Sequence, residues 1–142
     1  MRAFKLFLFY LISFTWGIIM SVIGLVAILF SLPFKKVHKY HGRLYATWGR
    51  GWGGVTLGCF FLCSEDCQYD SLMSHECGHT IQNCIWGPLM PFVVCIPSAT
   101  RYWYREFKYH RKNLTPSTKY DDIWFEGQAT EWGKKYVLTD KF

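Results

Sequence analysis

A long apolar stretch opens the hydrophobic pattern of this chain. Residues 6 to 34 are 29 consecutive positions without a charged side chain, and about 20 apolar residues suffice for a helix to cross a bilayer. The pattern therefore predicts a transmembrane helix as the anchor, within residues 1 to 34, and a folded domain over residues 35 to 142. The stretch is too short for a hairpin of two spanning helices. A signal peptide would have a shorter apolar core and a small-residue cleavage site, which residues 29 to 33 do not offer.

Short apolar runs bounded by glycines follow the anchor. Residues 44 to 63 are typical of strands, and Val55 to Leu62 has the β-branched and aromatic composition of one continuous strand. An edge strand here could hold an extended peptide through backbone hydrogen bonds. The residues expected to do so are Gly54, Val55, Thr56 and Leu57. The alternatives are a core strand that binds nothing and a short hydrophobic helix.

The pattern then changes to the period of a helix. Apolar or small residues stand at positions 72, 73, 77, 81, 84 and 85, which predicts a mostly buried helix. Asp70 or Ser71 can cap its start, and the pair Gly87-Pro88 ends it.

This helix contains the sequence His75-Glu76-Cys77-Gly78-His79. Two histidines four residues apart lie on one helical face, which is the spacing that zinc requires of two ligands. Glu76 points toward the same side, where it can accept a proton from a water molecule on the metal. Buried charge without a partner is costly, so a cation that uses all three side chains is the simplest explanation.

A third zinc ligand must come from elsewhere in the chain. Gln82 and Ile85 occupy the positions at which metzincins continue their histidine pattern, which excludes that subclass. We expect Glu126, on the apolar side of a second helix over residues 120 to 133, to be the third ligand. The other candidates are Glu131, His110 and Glu106.

An apolar segment with three prolines lies between these two helices, at about residues 86 to 100. It is too short and too interrupted for a regular span, so an interfacial or re-entrant segment is expected. The alternative is a loop buried inside the domain. The mixture of aromatic and basic residues at 101 to 105 is typical of a membrane interface.

The charge distribution supports a membrane location. The net charge of +6 suits a protein on an anionic leaflet, and since no nucleic-acid motif accompanies it, nucleic acid is not an expected partner. More basic residues follow the apolar stretch than precede it, so the positive-inside rule favours a single-pass protein with its catalytic domain in the cytoplasm. In that compartment the six cysteines are expected to be free thiols.

The motif His75-Glu76-x-x-His79 followed by Glu126-x-x-Ala129 resembles gluzincin-type zinc metallopeptidases, particularly small membrane-attached ones of the CAAX-processing type. The chain also resembles bacterial membrane proteins with an H-E-x-G-H-x-x-Q motif. Their further marks are found here at residues 53–58, 87–89 and 97–98. The resemblance implies an α+β, zincin-like minimal domain in which the edge strand presents the scissile bond. Thr130 departs from it, because the CAAX-type helix has an aspartate there, so that role would fall to Glu131 or be absent.

These observations predict a membrane-anchored zinc metallopeptidase that acts on peptides or proteins, with Glu76 as general base. Candidates for stabilising the oxyanion are Tyr102, Tyr104, Tyr120 and His110. One alternative is a non-catalytic membrane protein whose structural zinc is closed by a fourth ligand. That ligand would be Cys77, His110 or Glu131. Another is a subunit of a membrane complex whose partner supplies the substrate cleft.

Overall fold

A four-stranded sheet forms the middle layer of the fold. The computed structural model describes residues 2–112, 114–115 and 119–138. Within them the chain is α+β, as predicted. The helices are α1 (Arg2–Thr15), α2 (Ile18–Ser31), α3 (Asp70–Trp86), α4 (Ile96–Lys108) and α5 (Trp124–Gly133). The strands are β1 (Val37–Tyr40), β2 (Arg43–Thr47), β3 (Gly54–Leu57) and β4 (Phe60–Cys63).

The sheet is mixed, with the strand order β1-β2-β4-β3. β2 and β4 are parallel, and the outer strands pair antiparallel with them. The prediction of one strand over residues 55 to 62 is wrong, because the segment folds back on itself between β3 and β4. Gly58, at φ +69°, makes this turn in the left-handed region that favours glycine. β3 is an edge strand of the sheet, as expected.

Helices cover both faces of the sheet because side chains alternate along each strand. On one face, strand residues pack against α3 in a cluster of Tyr45, Phe61, Cys63, Met73, Cys77 and Val137. On the other, they pack against α1 and α2 in a cluster of Phe9, Ile28, Ala46, Cys59 and Phe60.

The apolar N-terminal stretch forms two helices, so the prediction of one continuous helix is wrong. The break lies at Trp16 and Gly17, where Asn83 of α3 packs so closely that a Cβ on Gly17 would overlap its amide. Among the described residues, no single helix is long and apolar enough to cross a membrane. Two bent pairs of helical segments have the length and apolar composition of a membrane span only when the two segments of a pair are taken together. They are residues 3–15 with 18–34, bent by 104°, and residues 70–89 with 91–108, bent by 117°.

The segment at residues 86 to 100 is helical rather than a loop. A 3₁₀ turn (Gly87–Leu89) and a π-helix (Pro91–Cys95) lead into α4. Pro88, Pro91 and Pro97 each stand in the first turn of one of these elements, where the missing N–H costs nothing. The prolines therefore start helical turns instead of interrupting them.

Candidate metal centre

Close packing of α3 against α5 creates the site. A Cβ on Gly78 would overlap the carbonyl oxygen of Ala129, and one on Gly133 would overlap that of Ser74. Two glycines, one on each helix, thus allow the backbones to touch. At this distance Glu126 on α5 reaches the two histidines of α3.

Three ligand atoms form a nearly equilateral triangle between these helices. Nε2 of His75 lies 3.2 Å from Nε2 of His79. Oε2 of Glu126 lies 3.1 Å from the first of these nitrogens and 3.2 Å from the second. Among the residues that the structure describes, the group able to hold a metal ion consists of His75, His79 and Glu126.

The triangle suits a small tetrahedral cation. Ligands about 2.0–2.1 Å from a tetrahedral zinc ion are separated from one another by about 3.3 Å, close to the 3.1–3.2 Å found here. Two imidazoles with one carboxylate are also a donor set that zinc accepts in catalytic sites. The residues present therefore fit zinc, although other transition metals accept the same donors.

Gln82 fixes the His79 ring for metal binding. The Gln82 Nε2 donates to the carbonyl oxygen of Phe125 at 2.8 Å and to Oε1 of Gln128 at 2.9 Å. Its Oε1 must therefore face Nδ1 of His79, 2.7 Å away, and can only accept from it. With the ring proton on Nδ1, the lone pair of Nε2 points into the triangle, as a ligand must.

Thr130 plays the corresponding part for His75. Its Oγ1 lies 2.8 Å from Nδ1 of His75. Of the two expectations for the place of the CAAX-type aspartate, Glu131 or no carboxylate, the first is wrong, because Glu131 is exposed on the far side of α5. A hydroxyl, rather than a carboxylate, orients the first histidine.

Glu126 is buried and held at both oxygens. The Ser98 hydroxyl, at the start of α4, donates to Oε1, while Oε2 faces the histidines. Burial opposes ionisation, but the hydrogen bonds from His75 and His79 outweigh it and hold the pKa of Glu126 well below its usual range. Burial likewise opposes charge on His79, yet Glu126 and Glu76 raise its pKa. The cluster thus favours a positive charge at its centre, supplied by a proton or a metal ion.

Glu76 lies beside this centre, between α3 and the edge strand. Its Oε2 is 2.7 Å from the hydroxyl of Thr56, a hydrogen-bond donor on β3. A Cβ on Gly54 would come within 2.6 Å of its Oε1, so glycine leaves room for the carboxylate there. Thr56 and Gly54, which the sequence analysis predicted only as peptide-binding residues, therefore position Glu76.

The structure does not bring the other candidate ligands to the triangle. Glu131 is exposed, and Cys77 faces the sheet in the cluster with Phe61. Glu106, on α4, does not belong to the metal-binding group. The side chains of His110 and Tyr120 lie outside the described residues.

Two of the predicted oxyanion candidates lie on α4. The Tyr104 hydroxyl accepts a hydrogen bond from Nζ of Lys108 at 2.7 Å, and the Tyr102 ring packs edge-on against Trp103. In the part of the chain that the structure describes, neither tyrosine is tied to the triangle by a hydrogen bond. Tyr102 stands four residues after Ser98, on the same helical face, and its role stays a prediction.

Replacing the amide group of Gln82 with an apolar side chain is expected to weaken metal binding. Gln82→Leu keeps the volume but removes the acceptor that orients His79, and losing such a partner typically lowers metal affinity about 10–100-fold. A competition titration of the metal-free protein with a chromophoric zinc chelator measures this. Gln128→Ala, which removes only one of the two acceptors of Gln82, serves as the control and should change affinity less. Equal zinc affinity in Gln82→Leu and wild type would contradict the orienting role.

Three residues of the site were not assigned a role from sequence. Gln82 stood out as a mark of the resemblance and as a departure from the metzincin pattern. Ser98 stood out only as a mark of the resemblance, and Thr130 only as a departure from it. A signal existed for Gln82, because it lies three residues after His79 and so on the same side of a helix. Ser98 reaches Glu126 from a separate helix, so no local pattern could reveal it.

The chain was compared with known families, proteins and structures. No model of a known protein family, no curated protein and no solved structure matches it.

Proposed function

We propose that this chain is a membrane-attached, zinc-dependent metallopeptidase of the gluzincin type, with its site on the cytoplasmic side. The observation that carries the proposal is the three-ligand triangle without a fourth protein ligand among the described residues. Structural zinc sites are closed by four protein ligands, whereas catalytic ones keep a position open. The buried carboxylate of Glu76, beside a position that no described side chain fills, favours hydrolysis further, since a structural site has no use for a base.

In this proposal His75, His79 and Glu126 hold the metal. Zinc, when bound, supplies a Lewis acid that lowers the pKa of water to about 7. Glu76 accepts a proton from the attacking water as that water adds to the peptide carbonyl. Thr56 keeps the carboxylate in place during this transfer. Glu76 then returns the proton to the leaving amine, so the carboxylate is regenerated.

The substrate backbone is expected to lie along β3. The amide of Ser64 donates to the carbonyl oxygen of Gly53 at 2.8 Å, on the line of the β3–β4 ladder. Hydrogen-bonded pairs alternate along an antiparallel ladder, so the backbone groups of Gly54 and Thr56 point away from β4. Those two residues are the ones available to pair with an extended peptide, immediately above Glu76.

Metal content tests the ligand assignment. Purified wild type in detergent is expected to contain about one zinc per chain, and Glu126→Ala is expected to lose it, because two imidazoles alone bind zinc weakly. Glu131→Ala, a matched change on the exposed side of α5, should keep the metal. Elemental analysis by mass spectrometry measures all three proteins. Zinc absent from wild type, or retained in Glu126→Ala, would overturn this site.

A further inference from the structure

The helices α1 and α2 expose many large apolar residues and bury several serines, which is unusual for the helices of a water-soluble protein. Their inward faces carry the buried Phe9, Met20 and Ile28, and beside them buried hydroxyl side chains, since Ser13, Ser21 and Ser31 are each 0 % exposed. Their outward faces carry large apolar residues, among them Phe4, 69 % exposed, and Phe30, 65 % exposed. Buried hydroxyl side chains together with large apolar side chains outside are typical of helices whose outer surroundings are lipid.

The hydroxyl groups of the inward serines have hydrogen-bond partners within the fold. The Ser31 hydroxyl donates to the carbonyl oxygen of Ala27 at 2.7 Å and accepts from Nε1 of Trp48 at 2.7 Å. The amide of Asn83 lies 3.3 Å from the Ser21 hydroxyl. On α1, the Tyr10 hydroxyl donates to the carbonyl oxygen of Gly42 at 2.8 Å. These contacts fix which side of each helix faces the rest of the fold, so the outward apolar faces are a built surface.

A second apolar surface joins the first at the break between α1 and α2. Nε1 of Trp16 donates to the carbonyl oxygen of Ile85 at 3.1 Å. From Ile85 the exposed apolar residues continue through Leu89, Phe92 and Ile96. The outer faces of both bent pairs therefore form one apolar surface, named here the outer apolar surface.

The charge around this surface suits anionic lipid. The first 64 residues contain seven lysines and arginines and no aspartate or glutamate. Three lysines are exposed around it, namely Lys5 near the start of α1, Lys35 shortly after α2 and Lys39 in β1. Basic residues beside an apolar surface add attraction to anionic headgroups, whereas a second protein copy with the same charge would be repelled.

The length and direction of α1 and α2 limit how deeply the outer apolar surface can enter a bilayer. α1 and α2 have 14 residues each, a length of about 21 Å, against about 30 Å for the hydrocarbon core. Both pack on the same face of the sheet and differ in direction by 104°. They therefore lie nearly at a right angle to each other over the sheet instead of in line across a bilayer.

We propose that the outer apolar surface inserts into one leaflet of an anionic bilayer, so that the chain is held without crossing the membrane. Both ends of the helix pair then stay on the side of the sheet and the metal centre. This inference goes beyond the peptidase proposal and does not depend on it, because it needs no metal and no catalysis.

Vesicle flotation tests the surface. Wild type freed of detergent should float with phosphatidylcholine–phosphatidylglycerol vesicles, and less with phosphatidylcholine alone. Val26→Glu, on the outward face of α2, should lower partitioning at least about tenfold, because it removes a buried valine and adds a carboxylate that anionic headgroups repel. Leu138→Glu is the control, since Leu138 is exposed next to Val137, which packs on the opposite face of the sheet. Circular dichroism should show that both variants keep the fold.

Soluble wild type that does not float with the vesicles, whether monomeric or self-associated, would overturn the proposal.

Thiol labelling distinguishes one leaflet from a span. Lys5→Cys and Lys39→Cys place a thiol before α1's apolar part and after α2. A membrane-impermeant maleimide is applied to sealed vesicles from expressing cells, with the parent protein giving the background of its own thiols. Equal accessibility of the two positions is expected. One position labelled and the other protected until the vesicles are opened would show a span and overturn the one-leaflet geometry.

Discussion

Glu76→Gln is expected to abolish peptide hydrolysis while leaving zinc bound. Glutamine keeps the shape of the side chain and an oxygen able to accept from Thr56, but it cannot take a proton. General acid–base catalysis typically contributes about 10²–10⁴-fold, so hydrolysis should fall by at least that factor. Turnover of a quenched-fluorescent peptide library, with zinc content measured on the same preparation, checks both parts of this expectation.

Glu131→Gln is the matched control for this experiment. It makes the same chemical change on α5, at an exposed position away from the triangle, and should leave both turnover and zinc unchanged. Hydrolysis by Glu76→Gln at the wild-type rate would refute the assignment of the base. Loss of zinc in Glu76→Gln would instead assign this residue to holding the metal.

The part of the site that sequence predicted is the part fixed by helix periodicity. His75 and His79 lie one turn apart in any α-helix, and Glu126 could be placed because it shares the apolar side of its helix while Glu131 does not. The residues that orient these ligands depend on how separate helices meet. Thr130 reaches His75 only because α3 and α5 touch, and Ser98 reaches Glu126 only after the chain bends before α4.

The fold was predictable to a similar extent. An edge strand at residues 54 to 57 followed from composition, but its end did not, because the apolar run continues through Gly58 into β4. The break in the N-terminal stretch was hidden for another reason. Hydropathy is uniform across Trp16 and Gly17, and the bend arises from the contact of Gly17 with Asn83, more than sixty residues away in the chain.

Gly78→Ala is expected to destabilise the protein and weaken its metal site, although helix propensity predicts the opposite. At an exposed helical position this change gains about 1 kcal/mol. At Gly78 the added methyl group would overlap the carbonyl oxygen of Ala129, which is backbone and cannot turn aside. Overpacking of this kind costs about 1–3 kcal/mol, and separating α3 from α5 also draws Glu126 away from the histidines.

Whether Gly78→Ala lowers or raises the stability of the protein therefore tests whether backbone contact between α3 and α5 builds the metal centre. Thermal unfolding of Gly78→Ala should show a Tm lower by about 5 °C, and a chelator titration should show weaker zinc binding. Ser71→Ala, at an exposed position in the first turn of α3, should change neither, because the cap position of this helix is held by Tyr69 and not by Ser71. If Gly78→Ala instead raises the Tm and keeps zinc, the helices are farther apart in solution, and the triangle cannot depend on their contact.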